Sequence, residues 1–216
     1  MLYDRELEDF IYEEIRKQYH FIDKYSKDFE VDPRLIVGLI FVERIQYKLD
    51  AVRFLAHRIK FKFEDFTKIF CNNEDVSEFF NTSKGFSHIK FGTARYMVRK
   101  YRDRGGILSD FELGTYSDNI ETCIKFSCAI IKEHILMWVE KVPNIRDCID
   151  ILATLYNISD FENKTPHSSP RSGGSILPVI IDGQYIEGMC FGDRVKQTYL
   201  SDKMDLFFKS LQYSYL

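Results

Sequence analysis

The stretch Asp32-Pro33-Arg34-Leu35-Ile36-Val37-Gly38-Leu39-Ile40-Phe41-Val42-Glu43-Arg44 decides how the chain folds. It predicts a helix with a sharp start. Asp32 suits the N-cap, and Pro33 suits the first helical position, where a missing N–H is no loss. From Leu35 to Val42 every residue except Gly38 is apolar, and a helix apolar on all sides must be buried. The helix is expected over 32–46, with one carboxylate, Glu43, at its far end. A carboxylate at the edge of so much apolar surface resists ionising, which raises its pKa. A general acid needs that property at neutral pH. The competing reading makes Glu43 a helix-end charge that emerges into solvent and pairs with Arg44 or Lys48.

Upstream, residues 3–27 carry Leu7, Phe10, Ile11, Ile15, Tyr19 and Ile22 at three- and four-residue spacing, with charged residues between. This is an amphipathic N-terminal helix within 1–30. Tyr19, His20 and Phe21 could form a ligand face, but an aromatic stripe at this spacing is more simply core. Downstream, 47–81 is rich in Phe and Lys and reads as two or three short helices, broken near 60–63 and at Cys71-Asn72-Asn73. The basic and aromatic interleaving over 53–63 has the composition of a single-strand nucleic-acid surface. Amphipathic helices with basic residues facing water explain it with less.

Asn81-Thr82-Ser83-Lys84-Gly85 is a turn, and a helix is expected from Ile89 to Tyr101, ended by Gly105 and Gly106. Residues 107–116 form a loop or short helix, 117–141 a long helix, and 145–158 another. Between 160 and 175 Pro, Gly and Ser accumulate, which marks a loop. Ile176–Ile181, Asp182-Gly183 and Gln184–Phe191 then have the form of a β-hairpin around a two-residue turn. Pro178 confines its strand to an edge. A last helix is expected over 192–213. No repeat or linker divides the chain. The expectation is a single domain over 1–216, mainly α, with a helical insertion at 47–81 and a loop and β-hairpin insertion at 160–191.

The composition sets outer bounds. With 216 residues, 45% hydrophobic and 15% aromatic, the chain is globular. Against 33 acidic residues stand 30 basic ones, spread along the chain, so no basic stripe points to nucleic acid. The five cysteines, Cys71, Cys123, Cys128, Cys148 and Cys190, show no CxxC spacing, so a zinc site is not expected, and with no HExxH and no phosphate-binding Gly loop the expectation is no metal and no cofactor. An odd, scattered set reads as reduced core cysteines, with one disulfide left open. The acidic start Met1–Asp9, as written, does not read as a secretory signal, so export would need another route or a signal already removed. No apolar run reaches the ~18 residues of a membrane span.

Three segments line up in order: Val31-Asp32-Pro33 through Val42-Glu43; Ser83-Lys84-Gly85-Phe86-Ser87-His88-Ile89 with Thr93-Ala94 after it; and Ile151-Leu152-Ala153-Thr154-Leu155-Tyr156-Asn157. Together they resemble the lytic transglycosylase and goose-type lysozyme group of the lysozyme-like superfamily. In that group a buried helix ends in the catalytic Glu. A Ser-x-Gly-x-x-Gln-Ile turn shapes the floor of a saccharide cleft, and a later helix brings a Tyr-Asn pair near the Glu. Gly192-Asp193-Arg194-Val195 resembles the closing segment of such domains. The chain departs from the pattern at His88, where the group has Gln, at Arg44, where it has Ser, and at Ser159, where it has Gly.

The resemblance implies a lysozyme-like helical fold and cleavage of the β-1,4 bond between N-acetylmuramic acid and N-acetylglucosamine in peptidoglycan, with Glu43 as general acid and base. It implies substrate contacts from Gly85, Phe86, Ser87, His88, Tyr156 and Asn157. Read as residues alone, Tyr156 could equally be a core tyrosine with a satisfied hydroxyl, Asn157 a helix C-cap, and His88 a polar residue bonded to backbone. No spacing singles out a second acid among Asp50, Glu64, Asp65, Asp103, Asp110 and Asp118. The expected partners are peptidoglycan or chito-oligosaccharide and a cognate inhibitor or immunity protein, and the expected state is a monomer. Synthesis in the cytoplasm followed by release or specialised secretion to the wall or periplasm, as for an endolysin or an antibacterial effector, fits the absence of a signal. The alternative is a non-catalytic lysozyme-like module that binds glycan or a protein. A cysteine–histidine hydrolase would draw on His57, His88, His134 or His167, but no Cys sits in a nucleophile context.

Overall fold

Helix α1 (Leu2–Phe29) ends in a Schellman turn: Glu30 takes a left-handed φ of 52°, Val31 N–H donates to Ser26 O at 2.9 Å, and Glu30 N–H donates to Lys27 O at 3.2 Å. Two residues later helix α2 begins (Pro33–Ile59), in a computed structural model that describes residues 2–59, 89, 91–102, 107–116, 118–158 and 177–213. Asp32 caps it as expected, its Oδ1 accepting from Arg34 N–H at 2.8 Å. Its Oδ2 accepts from the Tyr199 hydroxyl at 2.7 Å, which ties the start of α2 to the far end of the chain.

The expected end of this helix at 46 is corrected. Helix α2 runs on to Ile59, so Glu43 stands within the helix and not at its terminus. The physical reason is in the sequence: no Gly or Pro occurs between Gly38 and Gly85. Gln46, Lys48, Leu49, Ala51 and Arg53 are good helix formers, so nothing stops propagation. The rest of the 47–81 segment, from 60 onward, lies outside the described residues.

Leu35, Ile36, Val37, Leu39, Ile40, Phe41, Val42 and Ile45 are all buried, so α2 is the central rod of the core. Helix α1 packs along it with Ile11, Tyr12 and Ile15, and Tyr12 meets Phe41 at 4.8 Å between ring centres. Helix α3 (Phe91–Arg102) and helix α4 (Asp110–Thr115) follow, the latter opened by a Ser109–Glu112 capping box. Helix α5 (Ile120–Trp138), capped by Asn119, packs on α1 and is joined to α3 through the Lys100–Glu133 ion pair. The helix expected over 145–158 opens as a single 3-10 turn, Ile145–Asp147, before α6 (Ile149–Ile158).

The hairpin forms where expected, with β1 (Leu177–Ile181) antiparallel to β2 (Gln184–Met189). Asp182 and Gly183 take φ of 51° and 71°, the pair of positive values a type I′ turn requires. The register shifts between Leu177 and Val179, beside Pro178, where β2 carries an extra residue and Gly188 has φ of 78°. The turn is anchored from α1: buried Glu8 accepts from Asp182 N–H at 3.0 Å and Gly183 N–H at 2.8 Å.

The single helix expected over 192–213 is two, α7 (Phe191–Tyr199) and α8 (Asp202–Tyr213). Ser201 makes the break. Its hydroxyl donates to Thr198 O at 2.8 Å and accepts from Met204 N–H at 3.2 Å, closing one helix and capping the next. Cys123, Cys128, Cys148 and Cys190 are free thiols. Among the described residues no helix is long and apolar enough to cross a membrane.

Candidate active site

Helices α2, α6 and α7 approach one another closely because of two glycines. A Cβ at Gly38 would touch Val195 Cγ1 of α7 at 3.4 Å, and one at Gly192 would collide with Asp150 O and Thr154 Oγ1 of α6. The close approach carries Arg194 of α7 into the interior, where 2% of its surface is exposed. Its guanidinium carbon lies 5.4 Å from the Phe191 ring centre, and its Nη1 donates to Gln46 Oε1 of α2 at 3.0 Å.

Gln46 lies three residues beyond Glu43, one helical turn along the same face. Glu43 retains some exposed surface, yet its carboxyl sits in so much protein that burial pushes its pKa up to about 8. The nearby Arg194 charge opposes that rise without cancelling it. Arg44 turns toward α1, where Nη2 donates to Glu14 Oε2 at 2.7 Å. The Lys48 side chain lies outside the described residues. A desolvated carboxyl can remain protonated at neutral pH and donate its proton to a ligand that reaches it.

The other candidate residues divide. Tyr156 is buried on α6, with its hydroxyl 3.2 Å from Ser127 Oγ of α5, the arrangement of a tyrosine satisfied within the core. Asn157 lies in the last turn of α6, half-buried. Gly85, Phe86, Ser87 and His88 lie outside the described residues. Thr93 and Ala94 are buried in α3. Of the six acids considered as a second carboxylate, Asp110 pairs at the surface with Arg102 at 2.7 Å, and Asp118 is exposed in the turn before α5. The side chains of Asp50, Glu64, Asp65 and Asp103 lie outside the described residues. Among the described residues no group of His, Cys, Asp or Glu is placed to hold a metal ion.

Sequence reading missed Arg194 and Gln46 as members of this constellation. A signal for Arg194 existed. It falls on the stripe formed by Phe191, Val195 and Thr198, all buried, so a cation there had to enter the core with a polar partner.

A separate cleft of about 380 Å³ opens at the N-terminal end of α2, lined by Val31, Asp32, Leu35, Arg146, Lys196 and Tyr199 among others. Tyr199, hydrogen-bonded to Asp32 and partly buried, has its pKa pushed up to about 12. Glu43 lies eight residues beyond Leu35, about 12 Å further along the helix, so this cleft and the Glu43 carboxyl are distinct places. Compared with protein-family models, with curated proteins and with solved structures, the chain matches none of them.

Proposed function

We propose that the protein is a lysozyme-like glycosidase that cleaves the β-1,4 bond between N-acetylmuramic acid and N-acetylglucosamine in peptidoglycan, with Glu43 as the proton donor. One observation carries this reading. The Glu43 carboxyl on the central helix, a residue that keeps some exposed surface, has its pKa pushed by burial up to about 8 and so holds its proton at neutral pH. The mainly helical architecture with one small hairpin is compatible with a lysozyme-like domain.

The chemistry follows from that proton. Glu43 protonates the glycosidic oxygen as the C1–O bond breaks, and the sugar ring develops oxocarbenium character. The resulting Glu43 carboxylate then removes a proton. Taken from the 6-hydroxyl of the same sugar, this closes a 1,6-anhydro ring. Taken from water, it yields a reducing end. The first route needs only one carboxyl.

The second reading is a module that binds glycan or a protein without cleaving it. The cleft at the start of α2 favours it, because that opening lies away from Glu43.

Digestion of purified peptidoglycan by wild type and Glu43→Gln separates the two. The enzyme reading expects soluble muropeptides from wild type and a loss of about 100- to 10,000-fold in the variant, the range for removing a general acid. Product masses then distinguish anhydro from reducing ends. No products from folded wild type on several wall types would replace it with the binding reading.

A further inference from the structure

We infer that Arg194 is a positioning residue that holds Glu43 ready for proton transfer, with Gln46 fixing the guanidinium in place. This deepens the proposed acid–base role of Glu43 and rests on it.

Three geometric facts meet here. Arg194 is almost wholly buried on α7. Its Nη1 is tied to Gln46 Oε1 at 3.0 Å. Gln46 lies one helical turn from Glu43 on α2, so the tie holds the cation near enough for its charge to act on the carboxyl. Backbone packing holds this arrangement in place: Gly192 lets α7 lie against the Asp150 carbonyl, and Gly38 faces Val195. The Arg194 charge, coming from α7, acts on Glu43 and pulls its pKa down. On α2 itself Arg44 is engaged with Glu14 of α1.

A buried acid that must give up a proton and later retrieve one faces two demands. Burial keeps the proton on Glu43 before the reaction. Once the glycosidic oxygen takes it, a bare carboxylate is left in the same desolvated site, and that is costly. A guanidinium already fixed nearby stabilises the carboxylate as its charge appears, with no reorganisation at that moment. The proton moves from Glu43 to the leaving oxygen, and Arg194 keeps its own protons throughout. It acts through Glu43 and needs no contact with the sugar.

The test is the titration midpoint of Glu43, read from the carboxyl carbon resonance in isotopically labelled full-length protein, for wild type, Arg194→Met, Arg194→Lys and Gln46→Leu. Arg194→Met is expected to raise the midpoint by about 1 to 3 pH units, the usual effect of losing a nearby opposite charge. Arg194→Lys should recover most of that rise. Gln46→Leu, which removes only the tie, should give a smaller upward shift. It also keeps the test decisive if Arg194→Met does not fold. On peptidoglycan, kcat should fall by about 10-fold in Arg194→Met with KM little changed, and the basic limb of the pH profile should move up with the midpoint. A Glu43 midpoint unmoved in folded Arg194→Met, or in Gln46→Leu where the former fails to fold, overturns the inference. If wild type cleaves no glycan, the proposed function fails by itself, and the midpoints still decide whether Arg194 controls Glu43.

Discussion

Desolvation acts on both Glu43, which keeps some exposed surface, and buried His134, and it drives the two titrations in opposite directions. The Glu43 carboxyl is held up at about 8 by burial, against the pull of Arg194. A raised acid binds its proton more tightly in the folded state than in the unfolded one. Its contribution to stability is therefore full below about pH 4.5 and is lost as pH rises toward 8. Glu43→Gln has no such titration, so its melting temperature should improve relative to wild type between pH 5 and pH 8. The expected change in the gap is about 7–14 °C, corresponding to about 3–4 kcal/mol in a chain of this size. A gap that stays constant across that range would contradict a raised pKa.

His134 is 2% exposed on α5, hydrogen-bonded to the Leu155 backbone, and burial pushes its pKa down to about 3. A lowered histidine costs stability as pH falls below its unfolded value near 6.5, because the unfolded chain takes up the proton first. His134→Gln should flatten the acid limb, recovering on the order of 2 kcal/mol at pH 4.5 relative to the difference at pH 7. Denaturant melts at the two pH values measure it. The same lowered pKa keeps this imidazole neutral, which fits a structural role.

At the scale of elements, two contacts set how the pieces lock. Gly192 lies against the Asp150 carbonyl and Thr154 hydroxyl of α6, both of which a Cβ would strike. Gly192→Ala should cost about 1–3 kcal/mol by overpacking and should lower the melting temperature, because the obstacle is helix backbone that cannot turn aside. Glu8 fastens the hairpin turn to α1 through two N–H groups, one of them on buried Gly183. Glu8→Ala strands that donor, at about 1–3 kcal/mol, and hydrogen exchange at Asp182 and Gly183 should accelerate more than in α2.

The elements were legible where a local device announces them. Asp32-Pro33 marks the start of α2, Asp182-Gly183 marks the hairpin, and the spacing in 3–27 marks α1. Helix ends were less legible when no stop residue intervenes. Helix α2 continues past 46 because nothing there breaks it, and Ser201 divides the last helix through a side-chain cap that Ser signals only weakly.

For the molecule as a whole, the core is built around α2, with α1, α5, α6, α7 and the hairpin packed against it. That role was readable from the unbroken apolar run Leu35–Val42, which on any helical wheel leaves no face for water. The site was half legible. Glu43 could be picked out because it ends that run. Gln46 lies one turn along the same helix, within local reach, whereas Arg194, 151 residues away in sequence, joins Glu43 only through tertiary packing. Tyr156 could be placed on the correct helix, yet its contact with Ser127 depends on how α5 and α6 cross.

The central claim is that Glu43 is a protonated acid at neutral pH. Its titration in wild-type protein, followed at the carboxyl carbon from pH 4 to pH 10, tests that most directly. A midpoint near 8, well above the ordinary 4.5, is the result expected. A midpoint at or below 4.5 would make Glu43 an ionised partner of Arg194 at pH 7 and would remove the proton on which the proposed chemistry depends.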